Sequence, residues 1–126
     1  MGHPSRVVKA PFSTAAKTPA PGNIIEYRIT YTNIATATGV GSVSLTASGL
    51  VINENGASGS NNWAAFTTHQ LGTVVSPVTP LQFFNGATLL GTSDPATGTT
   101  VTRYVNSPGT VNPGSTGTFT FQRKVN

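Results

Sequence analysis

The sequence predicts an all-β fold, an antiparallel sandwich of about seven to nine short strands with little or no helix. Three observations carry that expectation. Thr, Ser, Asn and Gly together make 56 of the 126 residues, while Leu, Met, Glu, Gln, Lys and Arg make only 19. The first group favours strands, turns and loops, and the second supplies the good helix formers. Two segments alternate apolar and polar residues with the period of a strand, and each begins just after a Pro-Gly pair. Short apolar runs separated by Asn-Gly, Asp-Pro and Pro-Gly signals fill the space between them. The length suits one domain with a single modest core.

Taken in order, residues 1–20 read as an N-terminal arm and residues 21–126 as the sandwich. In the arm, Arg6 to Ala10 has strand character and Pro11 to Ala20 is an extended polar connection. Val7 and Val8 would either form the first strand of the sandwich or pair with a neighbouring chain. After Pro21-Gly22, the segment Ile24 to Asn33 places Ile25, Tyr27, Ile29 and Tyr31 on one face and Glu26, Arg28, Thr30 and Thr32 on the other. Val40 to Leu45 and Leu50 to Asn53 are shorter strands, with Ala47-Ser48-Gly49 between them. Trp63 to His69 offers one short helical turn. Val74 to Phe84 is apolar but interrupted by Pro77 and Pro80, so part of it is expected at an edge or in a loop. Ala87 to Leu90 is a short strand and Thr99 to Val105 a better one. Ser107-Pro108-Gly109 and Asn112-Pro113-Gly114 read as turns, the second leading into a last strand over Thr118 to Val125. The expected core is Ile25, Tyr27, Ile29, Tyr31, Phe119 and Phe121.

Charge excludes several functions. Charged residues are 8% of the chain and the net charge is +4, with the basic residues gathered near the two ends. Nucleic-acid binders display dense basic stripes with interleaved aromatics, so nucleic acid is not an expected partner. No run approaches the roughly 18 apolar residues of a membrane span, and Met1 to Arg6 does not lead into a signal-peptide core. The chain has no cysteine, which removes disulfides, thiol catalysis and thiolate metal sites together.

The remaining chemistry is thin. His69 is the only internal histidine and Asp94 the only aspartate, set before a proline. With no nucleophile-elbow motif, His69 is expected at the surface or the core edge rather than in a triad. Glu26, Glu54 and Asp94 are too dispersed for a calcium site, and an Asn-Gly turn accounts for Asn53 to Gly56. No metal, cofactor or catalytic residue is therefore expected. Trp63 with Asn61 and Asn62 could form a sugar platform if the indole is exposed, and packs across the core if it is not. Phe83 and Phe84 cannot both face inward on an extended strand, which leaves one of them to cover an edge or meet a partner chain, with Phe84 the candidate interface residue. An isopeptide bond from Lys9 to Asn126 would need Glu26 buried beside them. Alternation instead puts Glu26 on the wet face, and no such cross-link is expected.

Val7-Val8-Lys9, the Pro21-Gly22 turn into a strand ending Thr32-Asn33, and Asn112-Pro113-Gly114 before the last strand together resemble a known pattern. It is that of the prokaryotic conserved-repeat surface domain, domain of unknown function number eleven. Asn53-Glu54-Asn55-Gly56 with Asn61-Asn62-Trp63-Ala64 is similar to cyanobacterial versions of it. The acidic stretch that often follows its second strand is absent, and Gln70 to Thr100 match nothing in it. The resemblance implies an immunoglobulin-like sandwich at the cell surface or outside the cell, without enzymatic activity. A non-catalytic structural module or fibre subunit is the expected function, with other copies or neighbouring surface modules as partners. The alternative is a carbohydrate-binding or adhesin-type module.

Overall fold

The computed structural model describes residues 12, 13, 15, 18–34, 41, 43, 45–76 and 81–126. It is an all-β protein built as two antiparallel sheets. One sheet joins β1 (Ile24–Thr32), β7 (Thr116–Val125) and β3 (Thr67–His69) in the order β1-β7-β3. The other joins β2 (Ala47–Asn55), β6 (Arg103–Val111), β4 (Leu81–Asn85) and β5 (Thr88–Gly91) in the order β2-β6-β4-β5. The one helical turn among the described residues, α1 (Trp63–Phe66), leads directly into β3. This is the short turn expected between Trp63 and His69.

The two Pro-Gly turns close opposite ends of the β1–β7 ladder. Asn23 N donates to Ala20 O at 3.0 Å and Ser115 N to Asn112 O at 3.0 Å. Gly22 (φ +88°) and Gly114 (φ +79°) hold the left-handed third position of each turn. Proline second and glycine third is the composition a type II turn requires. Gly22 N donates to Val125 O at 2.8 Å, and Gly114 N donates to Asn33 O at 2.8 Å, so each turn is tied to the far strand. Asn33, the last residue of the Thr-Asn ending, also donates through its side-chain amide to Leu45 O at 2.6 Å and Val111 O at 2.9 Å. One side chain thereby pins the end of β1 to β6 of the opposite sheet.

Between those turns β1 and β7 pair without a register shift from Ile24↔Lys124 to Thr32↔Thr116. The apolar face carries Tyr27 stacked on Phe121, ring centroids 5.1 Å apart, and Ile29 opposite Phe119. Tyr31 lies across Gly117, where a Cβ would come within 2.2 Å of the phenol ring. The wet face carries hydroxyl pairs, Thr32 with Thr116 at 2.9 Å and Thr30 with Thr118 at 3.3 Å. There Glu26 accepts from Gln122 Nε2 at 3.0 Å, and the Arg28 guanidinium lies 4.0 Å over the Phe12 ring.

The buried core joins Phe119, Phe121, Trp63, Leu81, Phe83, Val101 and Tyr104. Of the six expected core residues, Phe119 and Phe121 are fully buried, and Tyr27 and Ile29 pack against them half-exposed. Ile25 and Tyr31, near the strand ends, are also half-buried. Phe83 is buried and Phe84 is not, as alternation requires. The outward Phe84 ring is covered by the Arg103 guanidinium at 4.0 Å.

Several local expectations are corrected. Ala47-Ser48-Gly49 does not separate two strands but begins β2. Ser107-Pro108-Gly109 is not a turn, because it lies inside β6, where Gly109 (φ +75°) opens a bulge. Strand pairing starts at Arg103 rather than Thr99. Residues 41, 43 and 45 of the expected Val40 to Leu45 strand are in no strand, while 40, 42 and 44, like Val7, Val8 and Lys9, lie outside the described residues.

Candidate functional site

A chain of polar side chains runs through the middle of the core. His69 on β3 and Arg123 on β7 are cross-strand neighbours, 0% and 2% exposed respectively. Tyr104 reaches them from β6 of the other sheet. Its hydroxyl is 2.7 Å from His69 Nδ1 and accepts from Arg123 Nη1 at 3.2 Å. The other imidazole nitrogen, Nε2, is 2.7 Å from Asp94 Oδ1. Asp94 Oδ2 accepts from Gly72 N at 2.8 Å, which fixes the carboxylate in the loop before β6.

Arg123 spends its other donors on nearby oxygens. Nε donates to Thr67 Oγ1 at 2.9 Å, Nη2 to Thr67 O at 3.0 Å and Nη1 to Val101 O at 2.8 Å. A buried guanidinium is tolerated only when its fork is met by acceptors, and here it is. Its flat face also lies 4.5 Å from the Trp63 ring centre, a cation–π contact in a desolvated setting. The indole in turn donates from Nε1 to Glu54 Oε1 at 3.0 Å, which Asn61 Nδ2 also contacts at 2.8 Å. The order across the molecule is therefore Asp94, His69, Tyr104, Arg123, Trp63, Glu54, with a carboxylate at each end and the buried cation between them.

Proton placement follows from the partners. The Tyr104 oxygen accepts from Arg123, which leaves its own proton available to His69 Nδ1, and in the tautomer that accepts it the imidazole donates Nε2–H to Asp94. Burial raises the Tyr104 pKa above 10.0, and the Arg123 charge and hydrogen bond oppose this only in part. The arrangement has the Asp–His geometry of an acid–base relay, yet its third member is a phenol sealed at 0% exposure. A general base must reach the proton it removes, and both nitrogens of His69 are already bound inside the core.

The histidine expected at the surface or core edge is thus a core residue, positioned by the one aspartate. Arg123, treated in the sequence as one of several basic end residues, was identifiable. It continues the two-residue period of Phe119 and Phe121, which places it inward. Glu54 likewise follows Ile52 by two. Nothing in the spacing links Asp94 to His69, since their contact depends on how two loops fold over β3.

Trp63 is 5% exposed, so it offers no open face for stacking on a sugar. The indole is packed on Gly56, where a Cβ would come within 2.2 Å of the ring. Asn61 and Asn62 are exposed beside it, and Asn61 is committed to Glu54 and to Asn55 O at 2.8 Å. Together with Glu26, Tyr27 and Phe66 these residues line an open groove of about 640 Å³, whose other wall is formed by Ser13, Ala15 and Pro19 of the arm. Glu26 is half-buried and bound to Gln122, while Asn126 contacts Thr68 and is exposed. These two members of the isopeptide trio are therefore separately engaged.

Fold and network together define an all-β sandwich with one histidine, His69, and one arginine, Arg123, buried and hydrogen-bonded inside its core. No protein-family model, curated protein or solved structure matches the chain.

Proposed function

We propose that the chain is a non-catalytic structural module of an extracellular or cell-surface protein, assembling with other copies by strand addition. The observation that carries this reading is the edge strand β5. Among the described residues its only sheet neighbour is β4, and Thr88, Leu89 and Leu90 are all exposed. A short edge with exposed leucines and no charge is a template for another strand. The commitment of His69 and Arg123 to internal partners supports the non-catalytic part, and the resemblance to surface domains supports the location.

Sedimentation velocity over a range of protein concentrations tests it. Assembly should rise with concentration and disappear in a Leu89→Lys, Leu90→Lys double variant whose melting temperature is nearly unchanged, since exposed substitutions shift stability by only about 0.5 kcal/mol. A chain that stays monomeric throughout, or a variant that assembles like the parent, removes the proposal.

The groove beside Asn61, Asn62 and Glu26 favours a second reading, a carbohydrate-binding or adhesin-type module. Here amide and carboxylate groups, not a stacked indole, would make the contacts. A glycan array probed with the monomer, followed by Asn62→Ala, separates this reading from the first.

A further inference from the structure

The chain contains two Asn-Gly pairs, Asn55-Gly56 and Asn85-Gly86. In such a pair the glycine nitrogen meets no Cβ of its own residue as it approaches the asparagine side-chain carbonyl. The fold treats the two pairs very differently.

At the first, Gly56 is buried beneath the Trp63 ring. Its nitrogen donates to the main-chain carbonyl of Thr102 at 2.9 Å, and its own carbonyl accepts from Ala64 N at 2.9 Å. Asn55 Oδ1 accepts from Ala57 N at 3.0 Å, which holds the side chain as an Asx turn. At the second, Asn85 and Gly86 are both exposed. Asn85 pairs with Thr88, so Gly86 and Ala87 form a two-residue hairpin loop. Gly86 has φ +59°, and among the described residues no non-glycine residue, Ala87 included, has positive φ, which is the pattern of a type II′ turn. The Gly86 nitrogen is held by a hydroxyl, donating to Thr102 Oγ1 at 2.8 Å. Thr102 thus restrains both glycines, one through its carbonyl and one through its side chain. It is itself anchored by donating its own N–H to Phe84 O at 2.9 Å.

We propose that Asn85 is a site of spontaneous deamidation and that the Thr102 hydroxyl governs its rate. In the first step the Gly86 nitrogen attacks Asn85 Cγ and forms a new N–C bond. That nitrogen gives up its proton, the Cγ–Nδ2 bond breaks, and the amide leaves as ammonia. Water then adds to either carbonyl of the resulting cyclic imide and opens it to aspartate or isoaspartate. One water is consumed, one ammonia is released, and nothing is oxidised or reduced. The attack requires Gly86 N–H to leave Thr102, so the hydroxyl slows it for as long as the bond is made. The product carries a carboxylate that lowers the net charge of +4 by one. In its isoaspartate form it lengthens the main chain at the hairpin that holds edge strand β5.

The test is peptide mapping by mass spectrometry on the intact chain after timed incubation in warm, mildly alkaline buffer. Asn85 should gain about one mass unit and a second, isoaspartate peak, while Asn55 remains an amide. In denaturant the two sites should react at similar rates, which assigns the difference to the fold. Thr102→Val should speed conversion of Asn85 several-fold, and Thr102→Ser, which keeps the hydroxyl, should restore the slow rate. Circular dichroism establishes that each variant is folded. If Thr102→Val unfolds, the parental ratio of the two sites and the Thr102→Ser rate decide. Folded protein in which Asn55 reacts as fast as Asn85 overturns the site. A folded Thr102→Val variant that reacts at the parental rate overturns the role of the hydroxyl.

Discussion

The two long ladders of this sandwich follow opposite rules. In β1–β7 every step on one strand is matched by one step on the other, from Ile24↔Lys124 to Thr32↔Thr116. In β2–β6 the register slips twice. From Ala47↔Val111 to Leu50↔Gly109, β2 advances three residues and β6 two. From Leu50↔Gly109 to Ile52↔Asn106, β2 advances two and β6 three. The slips cancel, so both strands have advanced five residues by the end. Each bulge has a left-handed glycine beside it, Gly49 at φ +68° and Gly109 at φ +75°, and Pro108, lacking an N–H, sits where a ladder bond is already interrupted. The difference teaches where alternation can be trusted. It survives in a ladder closed at both ends by turns, and fails where an extra residue moves each following side chain to the other face.

Four tests break or sharpen that contrast. The largest effect should come from the straight ladder: Phe119→Ala empties a fully buried site in the centre of the core and should cost about 3–5 kcal/mol, read from denaturant unfolding. A loss under about 1 kcal/mol would mean that the β1–β7 face is not the centre of the core. Next comes the polar chain that continues the same strand. Arg123→Met keeps most of the volume but leaves Thr67 O, Val101 O and the Thr67 hydroxyl without their donor, a cost of about 1–3 kcal/mol for each group that water cannot reach. A variant as stable as the parent would show the guanidinium to be dispensable.

The bulged ladder should respond through coupling rather than size. Gly49→Ala and Gly109→Ala each force a left-handed alanine, at about 1–2 kcal/mol apiece. Because one slip compensates the other, the double variant should depart from the sum of the singles by more than about 0.5 kcal/mol. Additive losses would mean that the two bulges are independent.

The smallest effect is confined to alkaline pH. Burial raises the pKa of Tyr104 above 10.0 and, in the same direction, that of Tyr27. The native state therefore keeps protons that the unfolded chain releases near pH 10. The stability linked to them is complete below that pH and is lost as pH rises through the native pKa values. Melting temperature should fall above about pH 10, and Tyr104→Phe should flatten part of that fall. An unchanged slope in the variant would assign the loss to other groups.

The candidate site was legible in proportion to its strand geometry. Arg123 lies two residues beyond Phe121, an expected inward position, so the same alternation extends to it, and Glu54 stands two residues beyond Ile52, which packs against the core. Chemistry argued the other way, because charged side chains are seldom fully buried without partners, and the partners are distant in sequence. Thr67 lies 56 residues from Arg123 and Tyr104 lies 35 from His69. The burial of Trp63 depended on Gly56, whose missing side chain gives the indole its seat. The Asn-Gly pair read as a turn signal was therefore also a packing signal.

By itself, the sequence determined the all-β class, the two turns that close the β1–β7 ladder, the inward residues Phe119 and Phe121, and that one of Phe83 and Phe84 faces outward. These follow from local causes: the fixed φ of proline, the freedom of glycine, and a two-residue period that needs no knowledge of the partner strand. Only the tertiary structure decided which glycines form bulges, which of the two Asn-Gly pairs is sealed, and where the buried cation finds its acceptors. Those outcomes depend on contacts between segments far apart in the chain, and a free energy set by a distant partner leaves no period or spacing to read.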